Sequence, residues 1–139
     1  MFHMRYATIE DKDFWFTLDR HLKEKEFENK IMLNQCYVIE EDHKCIGVFR
    51  YNLFWDSIPF LNLIYLDWDY HNKGIGTKAM LFWEEEMRQL GYEVVMTSTM
   101  VEETSQHFYR NLQYKDCGCL IKDVHPLIET MEMFMIKKI

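Results

Sequence analysis

The stretch from Phe60 to Thr77 constrains this chain more than any other. Phe60-Leu61-Asn62-Leu63-Ile64-Tyr65-Leu66 is apolar and β-prone, and it runs into the polar segment Asp67-Trp68-Asp69-Tyr70-His71-Asn72-Lys73. Gly74-Ile75-Gly76-Thr77 follows, and from Gly76 to Leu90 the residues Ala79, Phe82, Trp83, Met87 and Leu90 recur with helical spacing. The pattern predicts a strand, a tight loop and a helix start. Such a junction binds anions, because the first backbone N–H groups of a helix lack intrahelical partners and carry the positive end of its dipole. Gly74 and Gly76 would let a phosphate approach the backbone, with Lys73 adding charge.

The 139 residues predict one domain, 1–139, with enough chain to bury a core. A hydrophobic fraction of 48% and an aromatic fraction of 16% exclude a disordered chain. A formal charge of -7 without any basic run argues against nucleic acid as partner and favours a cationic or small-molecule one. No apolar run approaches the roughly 18 residues that span a bilayer, so no membrane association is expected and a cytoplasmic location is the default. Cys36, Cys45, Cys117 and Cys119 form no C-x-x-C pair and read as buried or strand thiols in a reducing compartment.

In chain order, Arg5 to Ile9 opens as a strand, with Thr8 or Asp11 placed to cap a helix through Leu18. Leu22 to Leu33 predicts a charged helix with Phe27, Ile31 and Met32 on one face and Glu24, Lys25, Glu26 and Lys30 on the other. Cys36–Glu40 and Cys45–Tyr51 form a hairpin, prolonged through Asn52–Ile58 to a break at Pro59. After the long helix Gly91 predicts a left-handed stop, then a strand from Glu93, a short helix over Thr104–Asn111, and strands Tyr114–Lys122 and Thr130–Lys137. The order β-α-α-β-β-β-α-β-α-β-β is a mixed α/β sheet rather than a doubly wound nucleotide fold.

His71-Asn72-Lys73-Gly74-Ile75-Gly76 resembles the acyl-CoA signature Q/R-x-x-G-x-G/A of the GNAT superfamily of N-acetyltransferases. Ser105 to Tyr114 is similar to the second signature of that family, a helix ending in F-Y-x-x-x-G-F, here Phe108-Tyr109 followed by Gln113-Tyr114. His71 stands where Gln or Arg is usual, and Gln113-Tyr114 where Gly-Phe is usual. The resemblance implies an α+β fold, with a mixed, mostly antiparallel sheet of six to seven strands flanked by about four helices. It also implies acetyl-CoA as co-substrate, no metal, and an amine of a small molecule or protein as acceptor.

Carried onto this chain, it places backbone groups of Leu66 and Trp68 along the pantetheine arm. The N–H groups of Asn72, Lys73, Gly74, Ile75, Gly76 and Thr77 fall at the pyrophosphate, His71 opens this cofactor-binding signature, and Ser105 falls on the adenine side. Tyr109 falls where a tyrosine protonates the departing thiolate, and a phenol with an ordinary pKa near ~10 keeps its proton at neutral pH. The attacking amine also needs a base or a water chain. Asp56, Asp67 and Glu102 are the carboxylate candidates, and Asp56 is preferred for its aromatic setting, Phe54-Trp55-Asp56-Ser57-Ile58-Pro59.

The histidines, His107 included, show no metal spacing. Cys117 and Cys119 are expected to share one face of their strand. Met131, Met133 and Met135 form a stripe suited to the core or to a homodimer contact. A non-catalytic acyl-CoA sensor stays open as the alternative to an enzyme.

Overall fold

A computed structural model describes residues 1–139. It contains seven strands and four α-helices in the expected order, with 3-10 turns at Ile9–Asp11 and Trp68–Tyr70. The strands are β1 (Phe2–Tyr6), β2 (Cys36–Glu41), β3 (Lys44–Phe54), β4 (Ile58–Leu66), β5 (Val94–Met100), β6 (Lys115–Leu120) and β7 (Glu132–Lys138). The helices are α1 (Lys12–Leu18), α2 (Glu24–Met32), α3 (Ile75–Gln89) and α4 (Ser105–Asn111). Two compact units divide the chain, one of Met1–Asn52 with Leu61–Glu86, the other of Leu53–Phe60 with Met87–Ile139.

In the first unit the strand order is β1-β2-β3-β4. Its register pairs Met4 with Ile39, Val38 with Val48 and Cys36 with Arg50, all antiparallel. Alternation then assigns the faces. Cys36, Val38 and Val48 point to α1 and α2, where Trp15 and Phe27 are fully buried and Phe14, Phe16 and Ile31 pack beside them. Tyr37 and Phe49 take the other face and meet Phe82 and Trp83 of α3 at ring separations of 5.3 to 6.2 Å. Burial of such rings stabilises the unit by about 2 kcal/mol apiece.

Helix starts and stops follow local chemistry. The Thr8 N–H donates to Asp11 Oδ2 at 2.8 Å, and Arg5 clasps both oxygens of Asp11 at 2.9 Å. Two corrections concern helix faces. Met32 is 79% exposed and Leu90 62% exposed, because each sits at the last turn of its helix, beyond the surface that packs. Lys30 is not on the solvent side: its Nζ donates to the Tyr51 carbonyl at 2.7 Å.

The second unit holds the ladder β5-β7-β6, with Thr97 opposite Met135 and Ser98 opposite Phe134. Phe54 and Phe60 pack on Phe134 at 6.3 and 5.9 Å, so Phe54 does belong to an apolar cluster. Met135 is fully buried, whereas Met131 is exposed. The β3–β4 hairpin turns at Trp55-Asp56, both left-handed at φ 53° and 57°, with the Ser57 N–H donating to the Phe54 carbonyl at 3.1 Å. The break expected at Pro59 therefore lies earlier, and Pro59 is a buried residue inside β4. Gly91, at φ 97°, ends α3 as expected, with the Tyr92 N–H on the Met87 carbonyl at 3.0 Å.

Cys117 and Cys119 are strand thiols but exposed ones. A bulge between Asp116 and Gly118 interrupts the alternation, so the expected shared face does not follow from their spacing.

Gly47, in the middle of β3, is the tightest point of the first unit. A Cβ there would lie 2.6 Å from Leu66 Cδ2, 3.1 Å from the Tyr65 carbonyl oxygen and 3.3 Å from Ile39 Cδ1. Gly47→Ala should lower unfolding free energy by about 1–3 kcal/mol, the usual range for overpacking. Urea denaturation with an unchanged m-value is the check; an unaltered midpoint would show that the contact is slack.

Candidate functional site

The loop from β4 to α3 lies wholly in the first unit. It leaves the strand at Leu66, where the Asp67 N–H donates to the Ile46 carbonyl at 2.7 Å and anchors the exit against β3. The 3-10 turn over Trp68–Tyr70 follows, closed by the Tyr70 N–H on the Asp67 carbonyl at 2.9 Å. Asn72 and Gly74 then take left-handed conformations, φ 60° and 79°, and curl the backbone into the helix. Asparagine tolerates that region through its short polar side chain, and glycine meets no penalty there.

Gly74 occupies the capping position of α3, since its carbonyl accepts the Lys78 N–H at 3.2 Å. Having no side chain, it cannot satisfy the N–H groups of the first turn, which therefore remain available to a ligand. The space around Gly74 is open: nothing stands within 4 Å of where its Cβ would be. Ile75 is buried and holds the turn down. Lys73 and Lys78 add positive charge, and with Glu41, Asp42, Tyr70 and Ile75 they line a cavity of ≈ 290 Å³. Lys73 Nζ also sits 5.5 Å from the Tyr70 ring centroid. These features fit a phosphorylated ligand at the helix start.

His71, the departure from the expected signature, has a structural role that the sequence alone did not disclose. Its Nε2 lies 2.8 Å from the Leu66 carbonyl oxygen. A carbonyl only accepts, so Nε2 carries the proton. The ring lies between Trp68 and Tyr65, with centroids at 5.0 and 6.2 Å. His71 thus ties the end of β4 to the start of the phosphate loop. Trp68 itself is 78% exposed.

The second unit holds Tyr109 and Ser105. Tyr109 is buried on α4, packed edge-on against Tyr114 at 5.9 Å and Phe108 at 5.2 Å. Burial pushes its phenol up to about 12; the hydrogen bond with Thr97 pulls the other way, and Glu103 adds to the rise. Thr97, buried on β5, is the partner that sequence reading missed. It lies in a run of three buried residues, Val95, Met96 and Thr97, which gives no alternation from which its burial could be read. Ser105 is the first residue of α4 and half-buried.

The carboxylate candidates are scattered. Asp56 is exposed at the hairpin tip, Glu102 is exposed in the turn before α4, and Asp67 is half-buried at the exit of β4. No group of three or more His, Cys, Asp or Glu side chains is arranged to hold a metal ion.

Gly74→Ala has room for its methyl group but not the preferred backbone angle, so it should cost about 1 kcal/mol of stability. Thermal melting is the check, and a variant as stable as the parent would place the loop in another conformation.

Several solved structures share this fold. The Ard1 protein of Thermoplasma volcanium superposes with a TM-score of 0.86 at 10% identity, over 99% of this chain and 97% of that one. The ribosomal-protein-S18-alanine N-acetyltransferase of Escherichia coli gives 0.81 at 14%, over 100% and 94%. A GNAT family acetyltransferase from Elizabethkingia anophelis, solved with acetyl-CoA bound, gives 0.78 at 14%, over 99% and 98%. Comparison with curated protein sequences gives no match. The model of the acetyltransferase (GNAT) family matches residues 4–114, from β1 through the glycine loop to the end of α4. With the strand-to-helix junction and Tyr109 inside a match that spans most of the chain, the chain belongs to the GNAT acetyltransferase family.

Proposed function

We propose that this chain transfers an acetyl group from acetyl-CoA to a primary amine of a small molecule or a protein. The observation that carries the reading is the start of α3, where an uncapped glycine turn leaves the first-turn N–H groups open beside Lys73. The Elizabethkingia anophelis neighbour holds acetyl-CoA, and a structural neighbour from Neisseria gonorrhoeae, N-acetylglutamate synthase, holds coenzyme A and N-acetyl-glutamate. Both support this choice of co-substrate.

When bound, acetyl-CoA supplies an activated acyl carbon and a thiolate leaving group. The rest falls to the protein. The N–H groups from Asn72 to Thr77, with Lys73, hold the pyrophosphate, while the His71 N–H is spent on the Trp68 carbonyl at 3.2 Å. Backbone groups of Leu66 and Trp68 lie along the pantetheine arm, with His71 fixing the Leu66 carbonyl from one side. Ser105 is assigned to the adenine side. Tyr109 holds a proton on its hydroxyl oxygen for the departing sulfur. If the Thr97 hydroxyl donates to that oxygen, the phenol keeps its own proton free to give. The proton of the attacking amine is assigned to Asp56 or to water, which reaches the exposed hairpin tip.

Acetyl-CoA should bind with roughly 1:1 stoichiometry by calorimetry, one anion-binding helix start holding one pyrophosphate. No heat at millimolar co-substrate would sink the reading. Tyr109→Phe should lower kcat about 100-fold with little change in the KM for acetyl-CoA. Because the phenol titrates only near about 12, no alkaline loss of activity from this group is expected through the mildly basic range. A sensor without catalysis would release no thiol with any amine, and its Tyr109→Phe variant would behave as the parent.

A further inference from the structure

The face of the first unit covered by α1 and α2 carries charges that the phosphate loop does not use. Asp19, at the C-terminal end of α1, is buried. One of its oxygens, Oδ2, accepts from Arg50 Nε at 2.8 Å and from Trp15 Nε1 at 3.1 Å, and Oδ1 accepts the N–H groups of His21 and Leu22. The carboxylate is therefore saturated. Arg50 is opposite Cys36 in the β2–β3 register, so its side chain shares the α1–α2 face, where it is 13% exposed. Asp19 engages only the Nε edge of the guanidinium, and both Nη groups are left without a protein acceptor.

Lys30 reaches the same place from α2. Its ammonium donates to the Tyr51 carbonyl at 2.7 Å, which uses one of its donors. Burial holds Lys30 below the ordinary lysine range, and the nearby Arg50 charge lowers it further; Cys36, Glu26 and Asp19 oppose the shift. Arg50 thus pairs with a carboxylate that has no capacity left, and Lys30 is anchored on the carbonyl of the next residue with no carboxylate in contact. Retaining unpaired positive charge in a partly desolvated place costs free energy, and a negative ligand offsets that cost.

We propose that Arg50 and Lys30 form a receptor for an oxyanion, a carboxylate or phosphate group carried by the amine acceptor. The assignment to the acceptor rests on the acetyltransferase reading above; the anion site itself rests on the geometry alone. The free Nη end of an arginine presents parallel donors that match two oxygens of one anion, and the lysine adds a point charge. The net charge of -7 does not argue against this. Exposed charges farther than about 10 Å are screened by salt, whereas a half-buried pair acts at contact.

The test compares matched amines as acceptors: amino acids against their carboxamides, and ethanolamine against O-phosphoethanolamine. One anionic member should show a kcat/KM at least about tenfold above its neutral partner. In Lys30→Met that preference should fall about fivefold, with neutral-amine turnover kept, because the Asp19–Arg50 pair that orders the α1 end is untouched. Arg50→Gln tests the second cation if its melting midpoint stays near that of the parent. Equal rates within both pairs, or a preference undiminished in Lys30→Met, would overturn the proposal. The carboxylate and phosphate arms identify the source of the oxyanion.

A second arm needs no turnover. At constant ionic strength, millimolar inorganic phosphate or acetate should raise the melting midpoint of the parent more than that of Lys30→Met, because binding at the α3 start is common to both. Equal shifts in the two proteins, or no shift in either, overturn the Arg50–Lys30 site. A larger shift in the parent without acetylation of any amine keeps the site and counts against the acetyltransferase reading.

Discussion

The first unit depends on the absence of a side chain at Gly47. A Cβ there would stand 2.6 Å from Leu66 Cδ2 and 3.1 Å from the Tyr65 carbonyl oxygen, so the end of β4 sits against β3 at a distance that any side chain would have to push apart. From that contact the Asp67 N–H reaches the Ile46 carbonyl, the chain turns through Trp68–Tyr70, and α3 begins with its first turn uncapped. The path of the loop is thus tied to steric clearance in a neighbouring strand, far upstream in the chain. His71 adds a polar tie on top of it, from its ring to the Leu66 carbonyl.

Much of this was legible in the chain. The helical spacing of Ala79, Trp83 and Met87 gave α3 and its buried face, and Gly91 gave its stop, because periodicity and φ > 0 requirements are local properties. The GNAT resemblance rested on the same local signals and is matched by the family model. The failures have a common cause. Met32, Leu90 and Lys30 were assigned by helical angle, but the side that packs depends on where the neighbouring strand ends. Trp55 is no usual occupant of left-handed φ and masked the turn signal of Asp56, which does tolerate that region, while Pro59 drew the break toward itself. Thr97 and Arg50 became visible as partners only through the register of β5 and β3.

Charge behaves differently at the two length scales. Over the whole chain the excess is acidic, and many carboxylates are exposed or paired in ion pairs at the surface. Inside the first unit, two places depart from that balance: at the helix start Lys73 and Lys78 match Glu41 and Asp42, and behind α1 and α2 Arg50 and Lys30 lie near the single carboxylate of Asp19. A formal net charge predicts neither, because each depends on which side chains the fold brings together.

Strand β6 ends its ladder with every residue exposed and one edge unpaired. An exposed edge would ordinarily template a further strand from another chain. Here the extra residue at Cys117 bends the ladder, and the Arg110–Asp116 ion pair holds charge at its start. The irregularity that defeated the two-residue spacing of the cysteines therefore also works against a flat strand pairing on at this edge, and it leaves two thiols exposed there.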